Sequence, residues 1–130
     1  MVTRIIVPKS KPGTGICYEK FDLRETGSIS VVSVAAKVRI VDYTCVDACI
    51  VIGAVSPTAK ISGQATQILI GTKLPEFAVN STLIEEAGNA AVRDSIPIHD
   101  IRGAAQYRRD MLKVVAKRAI LRAIEKVKSE

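Results

Sequence analysis

Apolar and polar residues change their rhythm once along this chain, near residue 60. Before that point the period is that of strands. Residues 2–7, VTRIIV, are a short apolar run closed by Pro8 and predict a first strand. Residues 9–15, KSKPGTG, are turn-rich, and residues 17–23 alternate loosely and read as a second strand. A turn over residues 25–28, ETGS, leaves Gly27 free to take positive φ. The long β-branched run 29–41, ISVVSVAAKVRIV, opens as continuous apolar sequence and then alternates at Lys37 and Arg39. It predicts a strand buried on both faces at its start and on one face later. Residues 42–47 are a connection for which a hairpin is one candidate, and residues 48–55 predict another buried strand, ended by Ser56-Pro57. The result is three or four strands in a mainly antiparallel meander.

After residue 60 the period becomes helical. Residues 62–70 predict a short helix with Gly71 suited to follow its end. Residues 72–79 form a loop containing Pro75. A second helix runs to about Asp94, with Asn80 or Thr82 as its cap and Thr82–Glu85 at capping-box spacing. Residues 95–102 read as a loop. From Gly103 a long helix runs to near Lys128, its stripe formed by Leu112, Val115, Ala116, Ala119, Ile120, Ala123 and Val127. Arg118, Arg122 and Glu125 fall on the opposite face. Strands first and helices last predict an α+β fold, with about three helices on one face of a three- to four-stranded sheet.

Composition narrows the picture. The chain has 130 residues, room for a single domain with a real core, and 48% of them are hydrophobic while only 4% are aromatic. The core is therefore aliphatic. No run is long enough to span a bilayer and the first residues lack a signal-peptide pattern, so the expected location is the cytoplasm. Cys17, Cys45 and Cys49 are expected to be reduced thiols, since one His and no ligand spacing argue against zinc. The net charge is +6, and all of it lies in the last thirty residues: residues 1–100 hold ten basic and ten acidic side chains, residues 101–130 nine and three. Such asymmetry points to a partner of opposite charge.

Candidate chemistry is sparse. Gly13-x-Gly15 lacks the third glycine of a dinucleotide fingerprint, and no Walker loop occurs. His99 has no nucleophile placed beside it by any motif and reads as a loop residue. The five aromatic side chains are too scattered for an RNA-recognition pattern. In SIPIHDIRGAAQYRRDM, residues 95–111, Asp100, Arg102 and the Tyr107-Arg108-Arg109 run suggest a local ionic network, with Asp100 ahead of the last helix where a carboxylate favours its free N–H groups. Lys20 and Arg24 lie four apart on an extended segment, hence on one face, beside Ile29 at a strand mouth.

Three segments carry a family resemblance, in order: YEKFDLRETGSISVVSVAAKV, ACIVIGAVSPTAKISGQATQILIG and IHDIRGAAQYRRDMLKVVAKRAI. The chain resembles the C-terminal domain of the FAD-binding medium subunit of molybdenum hydroxylases, the family of carbon monoxide dehydrogenase, xanthine dehydrogenase and aldehyde oxidase flavoproteins. The resemblance implies that FAD lies between this domain and an N-terminal domain whose glycine-rich loops hold the pyrophosphate. It implies a cofactor-binding set of Lys20, which approaches the flavin ring, Ile29, which lies against the ring face, Arg24, which matches the motif arginine just before the turn, and Ser28, just before the ring-contacting residue. Ser28 stands where many members carry an acid, which removes a negative charge beside the flavin. A cation at the ring's carbonyl end favours the reduced anionic flavin.

The glycine-rich FAD domain is not among these residues, so residues 1–130 are expected to be a stand-alone C-terminal domain, from a split gene or a truncated paralogue, that binds FAD weakly and is not catalytic alone. The implied partners are an FAD-domain chain, an iron–sulfur subunit and a molybdopterin subunit, with a homodimer as a further candidate. Two other readings stand beside this one: a scaffold domain that has lost the flavin, and a basic RNA-binding domain.

Overall fold

The computed structural model describes residues 1–24 and 27–129. Strands β1 (Thr14–Asp22), β2 (Ser30–Val41), β3 (Thr44–Gly53) and β4 (Lys60–Ile61) form one sheet in the order β1-β2-β3-β4, antiparallel at every pairing. Helices α1 (Gly63–Leu69), α2 (Thr82–Arg93) and α3 (Ala105–Lys128) follow, with a 3₁₀ turn at Leu74–Glu76 between the first two. The α+β meander with helices on one face is the architecture that the change of period predicts. No helix among the described residues is long and apolar enough to cross a membrane.

Registration across the sheet explains the core. Cys17, Ala36 and Ile50 lie side by side on three strands, as do Val38 and Ala48, and Val34 and Ile52. All are buried. Residues two apart share a face, so these positions build one apolar surface, and α3 lies across it over β1 and β2. The α3 stripe of Leu112, Val115, Ala116, Ala119, Ile120 and Ala123 is buried as predicted, joined by Ile124, with Val127 at the margin. α2 packs on α3, where a Cβ on Gly88 would stand 3.1 Å from the Lys117 side chain and 3.3 Å from the Lys113 carbonyl oxygen, and α1 packs on α2 and β3.

Small residues set how closely α3 approaches. A Cβ on Gly15 would stand 1.8 Å from the Ala123 carbonyl oxygen, and one on Gly13, at φ +74°, would stand 2.4 Å from the Ile40 oxygen. Gly15 is therefore a packing device at the β1–α3 contact, and Gly13 one at the entry to β1, against Ile40 of β2. At the β2–β3 hairpin Asp42 and Tyr43 have φ of 48° and 61°. Positive φ at both central residues is the twist-matched two-residue turn, so the 42–47 connection is a hairpin and β3 begins at Thr44.

Several expectations are corrected. Residues 2–7 form no strand and are exposed throughout, with Ile5 81%, Ile6 73% and Val7 84% accessible. β-branched composition makes a segment suited to a ladder but supplies no partner, and the fourth strand is instead Lys60–Ile61 on the β3 edge. Ser81, not Asn80 or Thr82, caps α2, its Oγ accepting from the Ile84 N–H at 3.3 Å. Glu85 does not reach back to complete a capping box; it pairs with Lys113 and Lys117 of α3. α3 begins at Ala105, with Ala104 at the cap position and no side-chain cap. The 25–28 turn falls partly on residues 25 and 26, outside the described residues, while Gly27 has φ +66°.

Candidate functional site

The ionic network at the head of α3 organises the site. Asp100 and Gly103 close a tight turn by two backbone bonds, Asp100 N–H to Gly103 O at 3.2 Å and Gly103 N–H to Asp100 O at 3.0 Å. The Asp100 carboxylate accepts from Arg102 Nε at 3.0 Å, Arg102 Nη2 at 2.6 Å and the Arg102 backbone N–H at 2.9 Å. It also pairs with Arg108, whose side chain is only 2% exposed. Arg108 Nη1 in turn donates to the Ala54 carbonyl at 2.7 Å, tying the network to the end of β3. Hydrogen bonds from Arg102, then from its backbone and from Arg108, hold the Asp100 carboxyl well below the usual carboxylate range. The carboxylate thus binds guanidinium groups and not the α3 N–H groups expected of it. Arg109 takes no part in these contacts.

Beside this network lies an open cleft of about 610 Å³, lined by Leu23, Arg24, Gly27, Ser28, Ile29, Asp100, Ile101 and Arg102. Three of the four flavin-facing candidates, Arg24, Ser28 and Ile29, are therefore brought together. Lys20 is not on this cleft. It shares a neighbouring hollow with Phe21, Asp22, Leu23 and Arg24 and pairs with Asp22 at 2.5 Å. The Lys20 hydrogen bond, reinforced by Ser30, holds the Asp22 carboxyl below its ordinary value. β1 ends at Asp22, so Arg24 lies past the strand, and the two cations share a rim and not a strand face. Phe21 packs edge-on against Tyr107, ring centroids 6.3 Å apart, which joins the end of β1 to the start of α3.

Sequence reasoning placed Asp100 and Arg102 in a structural junction and missed that they line the candidate cleft. The turn at 100–103 reaches the 23–29 segment across seventy positions of chain, a proximity that no local pattern encodes. His99 is exposed and is not one of the lining residues. Cys17 and Cys45 are buried free thiols, pushed up from their ordinary pKa by burial, and Cys49 is partly buried. Five of the nine basic residues after position 100 are paired within the chain: Arg102 and Arg108 with Asp100, Lys113 and Lys117 with Glu85, and Arg122 with Glu19. The basic excess of the last thirty residues thus meets acids from β1, α2 and the 100–103 turn.

The flavin ring implied by the resemblance fits this cleft. A flat tricycle with a polar edge needs an apolar wall, a cation and an open approach. Leu23, Ile29 and Ile101 are exposed aliphatic side chains on the rim, Arg24 and Arg102 carry charge there, and a Cβ on Gly27 would meet nothing within 4 Å.

Comparison with known proteins gives a concordant result. The family model described as CO dehydrogenase flavoprotein C-terminal domain matches residues 16–123. The carbon monoxide dehydrogenase medium chain of Afipia carboxidovorans is 30% identical over 129 residues, covering 99% of this chain and 43% of that one. Carbon monoxide dehydrogenase from Hydrogenophaga pseudoflava, in a form lacking the Mo-pyranopterin moiety of its cofactor, superimposes with a TM-score of 0.81 at 30% identity, over 93% of this chain and 40% of that one. Quinoline 2-oxidoreductase from Pseudomonas putida gives a TM-score of 0.78 at 26% identity, over 89% and 39%. The chain spans about two fifths of the length of these relatives. With the sheet, the helices and the matched segment in agreement, the chain belongs to the CO dehydrogenase flavoprotein C-terminal domain family.

Proposed function

We propose that this chain is the ring-covering half of a flavin site in a molybdenum hydroxylase. The FAD would be shared with an FAD domain that grips its pyrophosphate, and the isoalloxazine would be covered by the cleft of Arg24, Ser28 and Ile29, with Lys20 at the adjoining rim. The observation that carries this reading is the cleft itself, in which residues singled out by the motif converge with exposed aliphatic side chains and guanidinium groups. FAD would supply electron acceptance, from molybdenum by way of iron–sulfur clusters held in partner subunits. This chain's own residues would exclude water from one ring face and place positive charge at its polar edge. The pyrophosphate grip lies elsewhere on this reading, because Gly13 and Gly15 are consumed by packing against Ile40 and α3. The cytoplasm is the compartment proposed for the assembly.

The test is co-expression of this chain with a chain carrying the family's FAD domain. Stoichiometric co-purification with flavin retained supports the reading. A chain that copurifies with nothing, or that is saturated with flavin by itself, refutes it.

A second reading has one observation in its favour. The helices cover one sheet face; the other bears Ile16, Tyr18 and Ile61, all about half exposed or more. A homodimer through that face would make the chain an interaction module without flavin. Sedimentation at micromolar concentration separates the two, since the flavin-site reading requires no self-association.

A further inference from the structure

We propose that the tight turn at residues 100–103 is a second wall of the ring-covering cleft, with Ile101 as its apolar contact and Arg102 as a positioning cation. This inference rests on the reading above and deepens it. Ile101 sits at the apex of the turn and is 100% exposed, facing a cleft that also carries Ile29, 69% exposed. An isolated exposed aliphatic side chain needs no explanation, but three on one open cleft, Leu23, Ile29 and Ile101, mark a surface suited to being covered. The turn is also rigidly mounted. Its two backbone bonds close it, and Asp100 fastens it to Arg108, which is itself buried and bonded to Ala54 at 2.7 Å.

The charge arithmetic supports an electron-rich occupant. Two guanidinium groups share one carboxylate, so Asp100, Arg102 and Arg108 together carry a net single positive charge. Arg108 is sealed from solvent, whereas the Arg102 side chain is 37% exposed and lines the cleft. The surplus is therefore presented through Arg102, held in a fixed plane by two bonds to Asp100 Oδ2 at 3.0 and 2.6 Å. A planar cation fixed before the ligand arrives loses little freedom on binding. A flat aromatic ring with a carbonyl edge would meet aliphatic contacts from both Ile29 and Ile101 and this charge at its rim.

The experiment is methyl NMR of the full chain, with isoleucine δ1-methyl groups labelled, titrated with FMN at millimolar concentration and, separately, with inorganic phosphate. The proposal predicts that Ile29 and Ile101 shift together and saturate with FMN, while Ile61 on β4 does not move. A shift at Ile29 without Ile101 overturns the second wall and leaves the ring-covering reading standing. Silence at both overturns both. Equal shifts with phosphate alone assign the cleft to a simple anion and overturn the proposal. Arg102→Gln is expected to weaken FMN binding about fivefold, with Arg102→Lys recovering part of the loss. A role confined to structure would lower the melting temperature and leave the FMN affinity of the folded protein unchanged, which overturns the assignment of Arg102.

Discussion

At the scale of single residues, Arg108 does more than its place in a basic run suggests. Its neighbours Tyr107, exposed, and Arg109, half-buried, give no hint that it is fully buried, because a charged side chain holds a buried position only with partners, here outside its own helix. Those partners are the Ala54 carbonyl and Asp100. Ala54 has φ +63°, a left-handed conformation unusual for a residue with a side chain, and the Arg108 bond holds its carbonyl in that setting. Because the contact is forked, to a carbonyl on one arm and a carboxylate on the other, lysine cannot replace it. Arg108→Lys is expected to lower the melting temperature by roughly 10 °C. Circular dichroism melting checks this, and an unchanged midpoint would mean that the network contributes little. The Asp100–Arg102 pairing was legible as proximity in sequence; the Arg108–Ala54 link, across fifty-four positions, was not.

At the scale of elements, strands and helices were legible wherever their period was strong. The 29–41 run and the α3 stripe appear nearly as expected, because a β-branched alternation and a three-four spacing each commit one face to the core. Failures came where an element depends on something outside it. Residues 2–7 have the composition of a strand but no ladder. The start of α1 is satisfied by Asp94 at the end of α2: its Oδ2 accepts from Ser62 Oγ at 2.7 Å and the Gln64 N–H at 3.1 Å, and Oδ1 from Gln64 Nε2 at 3.0 Å. Asp94 thus caps a helix some thirty residues upstream, and Asp94→Ala should cost about 1 kcal/mol in urea unfolding. The β1–α3 contact should be far less forgiving. A methyl group at Gly15 collides with α3 backbone, so Gly15→Ala is expected to cost about 3 kcal/mol or to prevent folding. A loss below about 0.5 kcal/mol would show that α3 can lift off β1 freely, contrary to this packing.

At the scale of the whole molecule, acids are paired with bases both within the first hundred residues and between them and the last thirty. Hydrogen bonds from Lys20, Lys37, Lys117, Arg93 and Arg102 hold Asp22, Asp47, Glu85, Glu86 and Asp100, in that order, below their ordinary values. Folded pKa values depressed in this way contribute stability that is fully present above the unfolded values, about 3.9 for Asp and 4.3 for Glu, and that is lost as pH falls through the folded ones. The melting temperature should therefore be level from pH 7 to about 5 and fall steadily below about 4. The buried thiols Cys17 and Cys45 act at the other end. Their folded pKa values are raised, so the unfolded chain ionises first and stability declines as pH rises beyond about 8.5. A melting temperature level down to pH 2 would contradict the ion-pair account.

The central claim concerns division of labour: this domain covers a flavin ring and leaves the diphosphate to another domain. Calorimetric titration of the chain alone with FMN and with FAD tests it most directly. FAD adds a second phosphate and an adenosine, which only a pyrophosphate site would reward. The account predicts that both ligands bind weakly, with dissociation constants in the millimolar range and within about threefold of each other. FAD binding about a hundredfold tighter than FMN would place a complete cofactor site within these residues and contradict the account.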